Sequence, residues 1–438
     1  MYLCSQKKSD YMLNSSYKNR VVDSILKERL EEVGAVLVQG PKWCGKTTTC
    51  EQQSRSQVML ANIDEFNRSR QLLETNAGRL LAGETPRLFD EWQTLPKLWD
   101  AIRYEVDHRH PSNGHFILTG SAVPVHSDEI LHSGTGRFAW IQMRPMSLWE
   151  SGESTGEVSL TDLFRGTKSI DGESRHNLED IAFLLCRGGW PDALDKSERV
   201  ALRVAYNYVD ALVNADISRI DETLRNPRRV RLLMRSLGRL QGTQTSINVI
   251  RQDLLANDES TLSETTVSSY LNTLQKLFAV EDMPAWSTHL RSKTAIRTSN
   301  TRYYSDPSIA VAALGLTPSK LMDDLNTFGL LFETLAVRDL RVYADAIDGQ
   351  VFHYRDKDGL ECDAVIELRD GTYGLIEIKL GGETAIREAQ LHLMKLEQKI
   401  DSSRVGKAAF RMVLTAVGNY AYRLDDDTLV VPIGCLKP

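Results

Sequence analysis

The chain has 438 residues, 42% hydrophobic and 26% charged, with a formal net charge of −6; that length exceeds one ordinary hydrophobic core, and that apolar share excludes a disordered chain. Cys4, Cys44, Cys50, Cys186, Cys362 and Cys435 lie far apart, with no CxxC and no histidine pair at zinc spacing. Neither a disulfide framework nor a zinc site is indicated, and a reducing cytoplasm fits best.

Met1 to Leu13 places Lys7, Lys8 and Asp10 where a signal peptide needs apolar residues. No run of about 18 uninterrupted apolar residues follows, so no membrane contact is expected. The acidic balance does not exclude nucleic acid, because whole-chain charge averages over domains while binding depends on local patches.

The first informative element is Gly34 to Gln39, GAVLVQ, an apolar run suited to a buried parallel strand. It leads directly into Gly40, Pro41, Lys42, Trp43, Cys44, Gly45, Lys46, Thr47 and Thr48, and helix-compatible residues follow from Lys46. This is a complete Walker A loop, in which backbone N–H groups at a helix N-terminus wrap phosphate oxygens. Lys46 would neutralise the β and γ phosphates of ATP, and the Thr47 hydroxyl would ligate Mg²⁺.

An acidic strand should supply the second Mg²⁺ group and the residue that polarises water. Asn62-Ile63-Asp64-Glu65 and Leu88-Phe89-Asp90-Glu91-Trp92 compete for that place. Asp90, for the metal, and Glu91, as the catalytic acid, are preferred, because the next strand, His115 to Ser121, then offers Ser121 as a polar sensor. Asp64 and Glu65 read as a solvated turn, with a substrate-side role as the alternative. Ser133-Gly134-Thr135-Gly136-Arg137 is a glycine-flanked loop before the strand Phe138 to Met143, and Arg137 is the candidate arginine finger for a neighbouring subunit, with Arg144 as second choice.

The segments GPKWCGKTTT, FDEWQ, ILTGS, SGTGRF, RPMSLWESGE and RGGWPDAL resemble prokaryotic AAA+-type ATPases of unassigned role, nearly end to end. The resemblance implies an additional-strand core over residues 1–145 and a helical lid over 146–226, beginning near Pro145. Arg187 in that lid is a candidate contact to the γ-phosphate.

In the middle, Arg219, Arg225, Arg228, Arg229, Arg231, Arg235 and Arg239 face only Asp221 and Glu222. Val230, Leu233, Leu237 and Leu240 recur at helical spacing, so a cationic amphipathic helix is predicted. Thr265 to Phe278 is a second amphipathic helix whose polar face includes Lys276. A polar hairpin-like stretch follows, Ser287 to Thr301, with His289, Arg291, Lys293 and Arg297. Helices and then a basic ribbon suggest a winged helix over 227–318 that binds DNA through Arg228, Arg229, Lys276, Arg291, Lys293 and Arg297. The alternative is a helical spacer with a solvated charged face.

Leu330 to Tyr343 is an amphipathic helix carrying Glu333. In Leu360 to Ile366, alternation puts Cys362, Ala364 and Ile366 on one face and Asp363 on the other. In Tyr373 to Leu380 it opposes Glu377 and Lys379 to Ile376 and Ile378. Asp363, Glu377 and Lys379 match the spacing of PD-(D/E)XK nucleases, with Glu333 as the extra helical acid. Asp363 and Glu377 would bind Mg²⁺, Lys379 would orient the nucleophile or stabilise the phosphorane charge, and Gln390 would help position the backbone. A solvated sheet face is the alternative, and the resembled family commonly ends in a nuclease-like domain of this kind.

The fold class expected is α/β: an AAA+ P-loop core with a helical lid, a winged-helix middle domain, and a C-terminal α/β PD-(D/E)XK nuclease-like domain over 319–438. The function expected is ATP-driven action on DNA by a homo-oligomer, such as a hexamer or other ring. The resemblance, rather than the residues, points to branched or forked DNA. The rival is an ATP-dependent regulatory switch with an inactive nuclease-like module.

Overall fold

A computed structural model describes residues 17–122, 133–167, 169–218, 225–256, 262–287 and 299–438. Five strands form the first sheet: β1 (Ala35–Gln39), β2 (Ser56–Met59), β3 (Arg87–Asp90), β4 (Phe116–Gly120) and β5 (Phe138–Gln142), in the order β2-β3-β4-β1-β5 and all parallel. β4 separates the Walker A strand β1 from the acidic strand β3, which is the additional-strand arrangement expected. Because both faces are covered, the strands read as apolar runs rather than alternating ones. Helices α1 (Val21–Glu32) and α2 (Lys46–Gln53) cover one face through Leu26, Val36, Val38, Cys50 and Ile117; α3 (Ile63–Leu81) and α4 (Leu98–His108) cover the other through Leu37, Phe89, Trp99 and Leu118.

Asn62 to Glu65 is neither strand nor turn. Asn62 caps α3, accepting from the backbone N–H of Asp64 and Glu65, and the two acids occupy the first turn, where the helix dipole favours negative charge. The strand of this region lies earlier, at β2.

Beyond β5 the chain is mostly helical: α5 (Leu148–Ser151), β6 (Val158–Ser159), α6 (Leu160–Phe164), α7 (Leu178–Arg187), α8 (Pro191–Leu194) and α9 (Glu198–Ala211), which runs into a π-helical turn, Leu212–Asp216. Three further helices follow, α10 (Pro227–Arg239), α11 (Ile247–Leu255) and α12 (Glu264–Lys276), and then an antiparallel pair, β7 (Val280–Met283) and β8 (Thr301–Tyr304). Then come α13 (Pro307–Leu314), α14 (Pro318–Asp323) and the long α15 (Leu325–Asp345).

The second sheet has the order β13-β14-β12-β11-β10-β9. β9 (Gly349–Arg355), β10 (Glu361–Leu368) and β11 (Tyr373–Lys379) form an antiparallel meander; α16 (Glu383–Lys399) then crosses over so that β12 (Phe410–Thr415) lies parallel to β11. β13 (Tyr422–Arg423) and β14 (Leu429–Pro432) complete the sheet, and β15 (Leu436–Lys437) returns to pair with β6. α15 packs on one face through Leu331 and Leu335 against Ile366, Ile376 and Met412; α16 packs on the other through Ala389 and Leu393 against Val365, Leu375 and Val413.

The expected alternation in β10 fails at one point. A bulge between Cys362 and Val365 shifts the register against β9, so Cys362 packs on the α16 side while Ala364 and Ile366 pack on the α15 side. An extra residue in one strand turns every later side chain to the opposite face. Among the described residues, no helix is long and apolar enough to cross a membrane.

Candidate functional site

The phosphate loop lies at the carboxyl end of β1, the usual ligand position in a parallel sheet. Gly40 is required sterically, since a Cβ there would collide with the carbonyl of Met143, and Gly45, at φ 99°, starts α2. Lys46 is buried and donates to the carbonyls of Gly40 (2.9 Å) and Pro41 (2.8 Å), which places its ammonium inside the loop. The Thr47 hydroxyl donates to Asp90 Oδ1 at 2.7 Å, so two oxygen donors from β3 and α2 converge. Cys44 is buried, whereas Trp43 is exposed and meets the edge of the Tyr208 ring.

Thr119, on β4, donates to Asp90 Oδ1 at 2.6 Å and accepts from the Glu91 backbone N–H at 3.1 Å. Glu91 has a left-handed backbone (φ 56°), a cost that a non-glycine residue bears only when its surroundings fix it. Its carboxylate accepts from Ser121 Oγ at 2.9 Å and from the Gln93 amide. Asp90, Glu91 and Ser121 therefore meet beside the loop, as their order in the chain suggested. Thr119 and Gln93 went unremarked, although both stand inside the segments that carried the resemblance.

Thr47 and Asp90 suit a hard divalent ion, being oxygen donors facing one spot beside a phosphate cradle. Mg²⁺ bound there would shield phosphate charge. The chain itself provides the cradle, the Lys46 charge, and a Glu91 carboxylate fixed by two hydrogen bonds.

The finger candidates separate. Arg137 precedes β5 at the opposite end of the sheet from the phosphate loop of its own chain, and its guanidinium pairs with Asp107 at 2.8 Å, a hydrogen bond that lowers the Asp107 carboxyl below its ordinary range. It cannot serve its own nucleotide. Arg144 is excluded as a finger because it is buried and spent on Glu281 (2.7 and 2.9 Å) and Asp345 (2.6 Å). Burial opposes charge on Glu281, yet Arg144 and Arg341 outweigh it and hold its carboxyl at about 2. Arg187 is likewise no γ-phosphate contact, being buried and paired with Glu153 at 2.5 Å. The helical segment reaches the loop elsewhere, through Asp216 on Lys42 at 2.5 Å and Tyr208 on Trp43.

The RGGW segment has a structural task. The Gly189 N–H donates to Asp306 (2.9 Å), Trp190 Nε1 donates to Ser308 (2.9 Å), and Arg338 bridges Asp306 (2.8 Å) and Asp339 (2.7 Å), all buried.

The basic middle is less cationic than its sequence. Arg225 is buried against the Tyr270 ring, Arg231 pairs with Asp210 at 2.9 Å, and Arg239 pairs with Asp253 at 3.6 Å. Val230, Leu233 and Leu237 are buried as predicted, while Arg228 and Lys276 are exposed and Arg229 is half-buried. Arg291, Lys293 and Arg297, with Arg219 and His289, lie outside the described residues.

At the second sheet, Lys379 Nζ stands 2.7 Å from Glu377 Oε2 and 3.1 Å from Asp363 Oδ2, and the Ile378 N–H donates to Asp363 at 2.7 Å. Burial together with the charge of Asp363 pushes both Glu333 and Glu377 up to about 8. Burial opposes the Lys379 charge, but the Asp363 and Glu377 carboxylates outweigh it and raise its pKa. The structure thus brings together the four residues selected from sequence and adds one that was missed: Tyr303, whose hydroxyl donates to Glu333 Oε1 at 2.6 Å. Nothing local marks Tyr303, which sits 30 residues away on β8. Gln390 does not join the cluster; its amide donates to Asp425 and Asp426.

Asp363 and Glu377 supply two hard oxygen donors for a divalent ion. Among the described residues no group of three candidate metal ligands assembles.

Residues 33–151 match the family described as AAA domain; residues 178–320 and 328–436 match two domains of unknown function, DUF8612 and DUF4143. No curated protein matches the chain. Similar solved structures include the Walker-type ATPase Paby2304 of Pyrococcus abyssi (18% identity, 68% of this chain and 97% of that one, TM-score 0.42). Others are a Thermotoga maritima RuvB variant (18%, 60% and 89%, TM-score 0.27) and the Aeropyrum pernix ORC1 protein in complex with DNA (13%, 72% and 96%, TM-score 0.26). These superpositions are too loose to carry an argument. The family match and the additional-strand phosphate site agree without them: residues 33–151 form an AAA-type P-loop ATPase domain.

Proposed function

We propose that this chain couples ATP turnover to DNA, engaging it through a winged helix at 227–318 and acting on it, by remodelling or Mg²⁺-dependent cleavage, with a PD-(D/E)XK-like site at 319–438. The observation that carries this reading is the convergence of Glu333, Asp363, Glu377 and Lys379 on one spot of a helix-flanked meander sheet. Carboxylates that resist ionisation beside a lysine are expensive to maintain, and such groups cluster at sites of chemistry. Three helices followed by an antiparallel pair support the winged helix, with Arg228, Arg229 and Lys276 as DNA contacts. The position of Arg137 suits a homo-oligomer in which it reaches a neighbour's nucleotide.

DNA in single-stranded, duplex, forked and four-way forms tests this. ATPase stimulation by one of them, with cleavage lost in Glu377→Ala and Lys379→Ala, supports the reading; full cleavage by both variants removes the nuclease assignment.

One observation favours a second reading. The Lys379 ammonium already lies within ion-pair distance of both Asp363 and Glu377, and a site satisfied in this way also suits an inactive module of an ATP-dependent switch. ATPase activity indifferent to every DNA, with no gel shift at low salt, would select it.

A further inference from the structure

We infer that the β7–β8 strand pair is a coupling element joining the phosphate loop to the acid–lysine cluster, with Tyr303 as the positioning residue for Glu333. The inference rests on reading that cluster as a functional site.

The connection begins in the loop itself. Arg20 donates from Nη1 to the Cys44 carbonyl and from Nη2 to the Arg144 carbonyl, both at 2.8 Å, and the Met143 N–H donates to the Gln39 carbonyl at 2.7 Å. A phosphate entering between Gly40 and Gly45 therefore acts on groups bonded directly to the Arg144 backbone. The Arg144 side chain points the other way, into Glu281 of β7 and Asp345 at the end of α15.

Glu281 and Tyr303 are cross-strand partners in this pair. Directly opposed residues of an antiparallel pair project from the same face. Arg341 ties them together, its guanidinium 3.4 Å from Glu281 and 5.7 Å from the Tyr303 ring centroid. Tyr303 then ends on Glu333, so one antiparallel strand pair holds the arginine that follows the nucleotide sheet on one strand and an acid of the second site on the other. Arg144 also reaches α15, the helix carrying Glu333, through Asp345, and both arms converge there.

These contacts are ion pairs with buried arginines and half-buried carboxylates, ending on one buried hydroxyl, and a chain of paired charges and hydrogen bonds has discrete arrangements through which a displacement can pass.

The test is hydrogen exchange on the full chain, with and without Mg²⁺ and ATPγS. In the unmodified protein, nucleotide should change exchange over residues 330–336 and 376–380 by about fivefold or more. Tyr303→Phe keeps the ring and removes the hydroxyl; Glu281→Gln keeps the shape and removes the charge. In each, that nucleotide response should vanish while nucleotide affinity stays within about twofold, a change too small to count as coupling. A nucleotide response that persists in Tyr303→Phe, or is missing from the unmodified protein, overturns the inference. Cleavage plays no part in this readout, so an inactive cluster would defeat the nuclease reading and leave the coupling measurable.

Discussion

The hydroxyl of Ser121 donates to the carboxylate of Glu91 at 2.9 Å, joining the end of β4 to the residue after β3. With Gln93 on the same carboxylate, Glu91 is held beside the phosphate loop before any water is bound.

Glu91→Gln should therefore lower kcat for ATP by about 100-fold or more, the usual worth of a positioned acid or base, while nucleotide affinity changes little. Stopped-flow binding and steady-state hydrolysis separate the two. A kcat within about threefold of the unmodified protein would remove Glu91 from the chemistry.

Arg137→Ala should leave the fold intact, because its pair with Asp107 is exposed and such pairs contribute little. If it serves a neighbour, hydrolysis falls on the order of 1,000-fold with binding retained. Mixing Arg137→Ala chains with Lys46→Ala chains should restore part of the activity, since each supplies what the other lacks. Strictly additive, inactive mixtures count against a shared site.

Burial and the neighbouring Asp363 charge push Glu333 and Glu377 up to about 8, from an ordinary value of 4.5. A raised folded pKa means that the protonated form is favoured on folding. That contribution is complete below 4.5 and is lost as pH rises through about 8. The urea midpoint should thus be lower at pH 9 than at pH 6, and Glu333→Gln should reduce the difference. A midpoint that is flat or rises with pH contradicts the burial of these acids.

Arg338→Ala would strand Asp306 and Asp339 without a counter-charge in the core, at a cost of about 3–5 kcal/mol. Chemical denaturation measures it. A loss below about 1 kcal/mol would mean that water reaches the site and the network is not structural.

The phosphate loop, Asp90, Glu91 and Ser121 were legible because each depends on a local pattern: a strand, a glycine loop and an acid at the end of the next strands. Glu333, Asp363, Glu377 and Lys379 were legible for the same reason, since period-two spacing placed Glu377 and Lys379 together. Arg144 was not, because its partners Glu281 and Asp345 lie 137 and 201 residues away and no local rule reports them. The bulge after Cys362 was equally hidden, because Ala364, Val365 and Ile366 are all apolar and both sheet faces are covered, so the pattern does not say which face each takes. Asp64 and Glu65 were misplaced because an acidic first turn capped by Asn62 resembles a polar turn until the backbone is known.

The most direct test of DNA-coupled ATP turnover is hydrolysis and strand cleavage measured together on forked and four-way DNA, with Lys46→Ala and Glu377→Ala as controls. The account predicts DNA-stimulated hydrolysis that Lys46→Ala abolishes, and cleavage that Glu377→Ala abolishes while its hydrolysis continues. Hydrolysis unchanged by any DNA, together with no cleavage above the Glu377→Ala background, would contradict it.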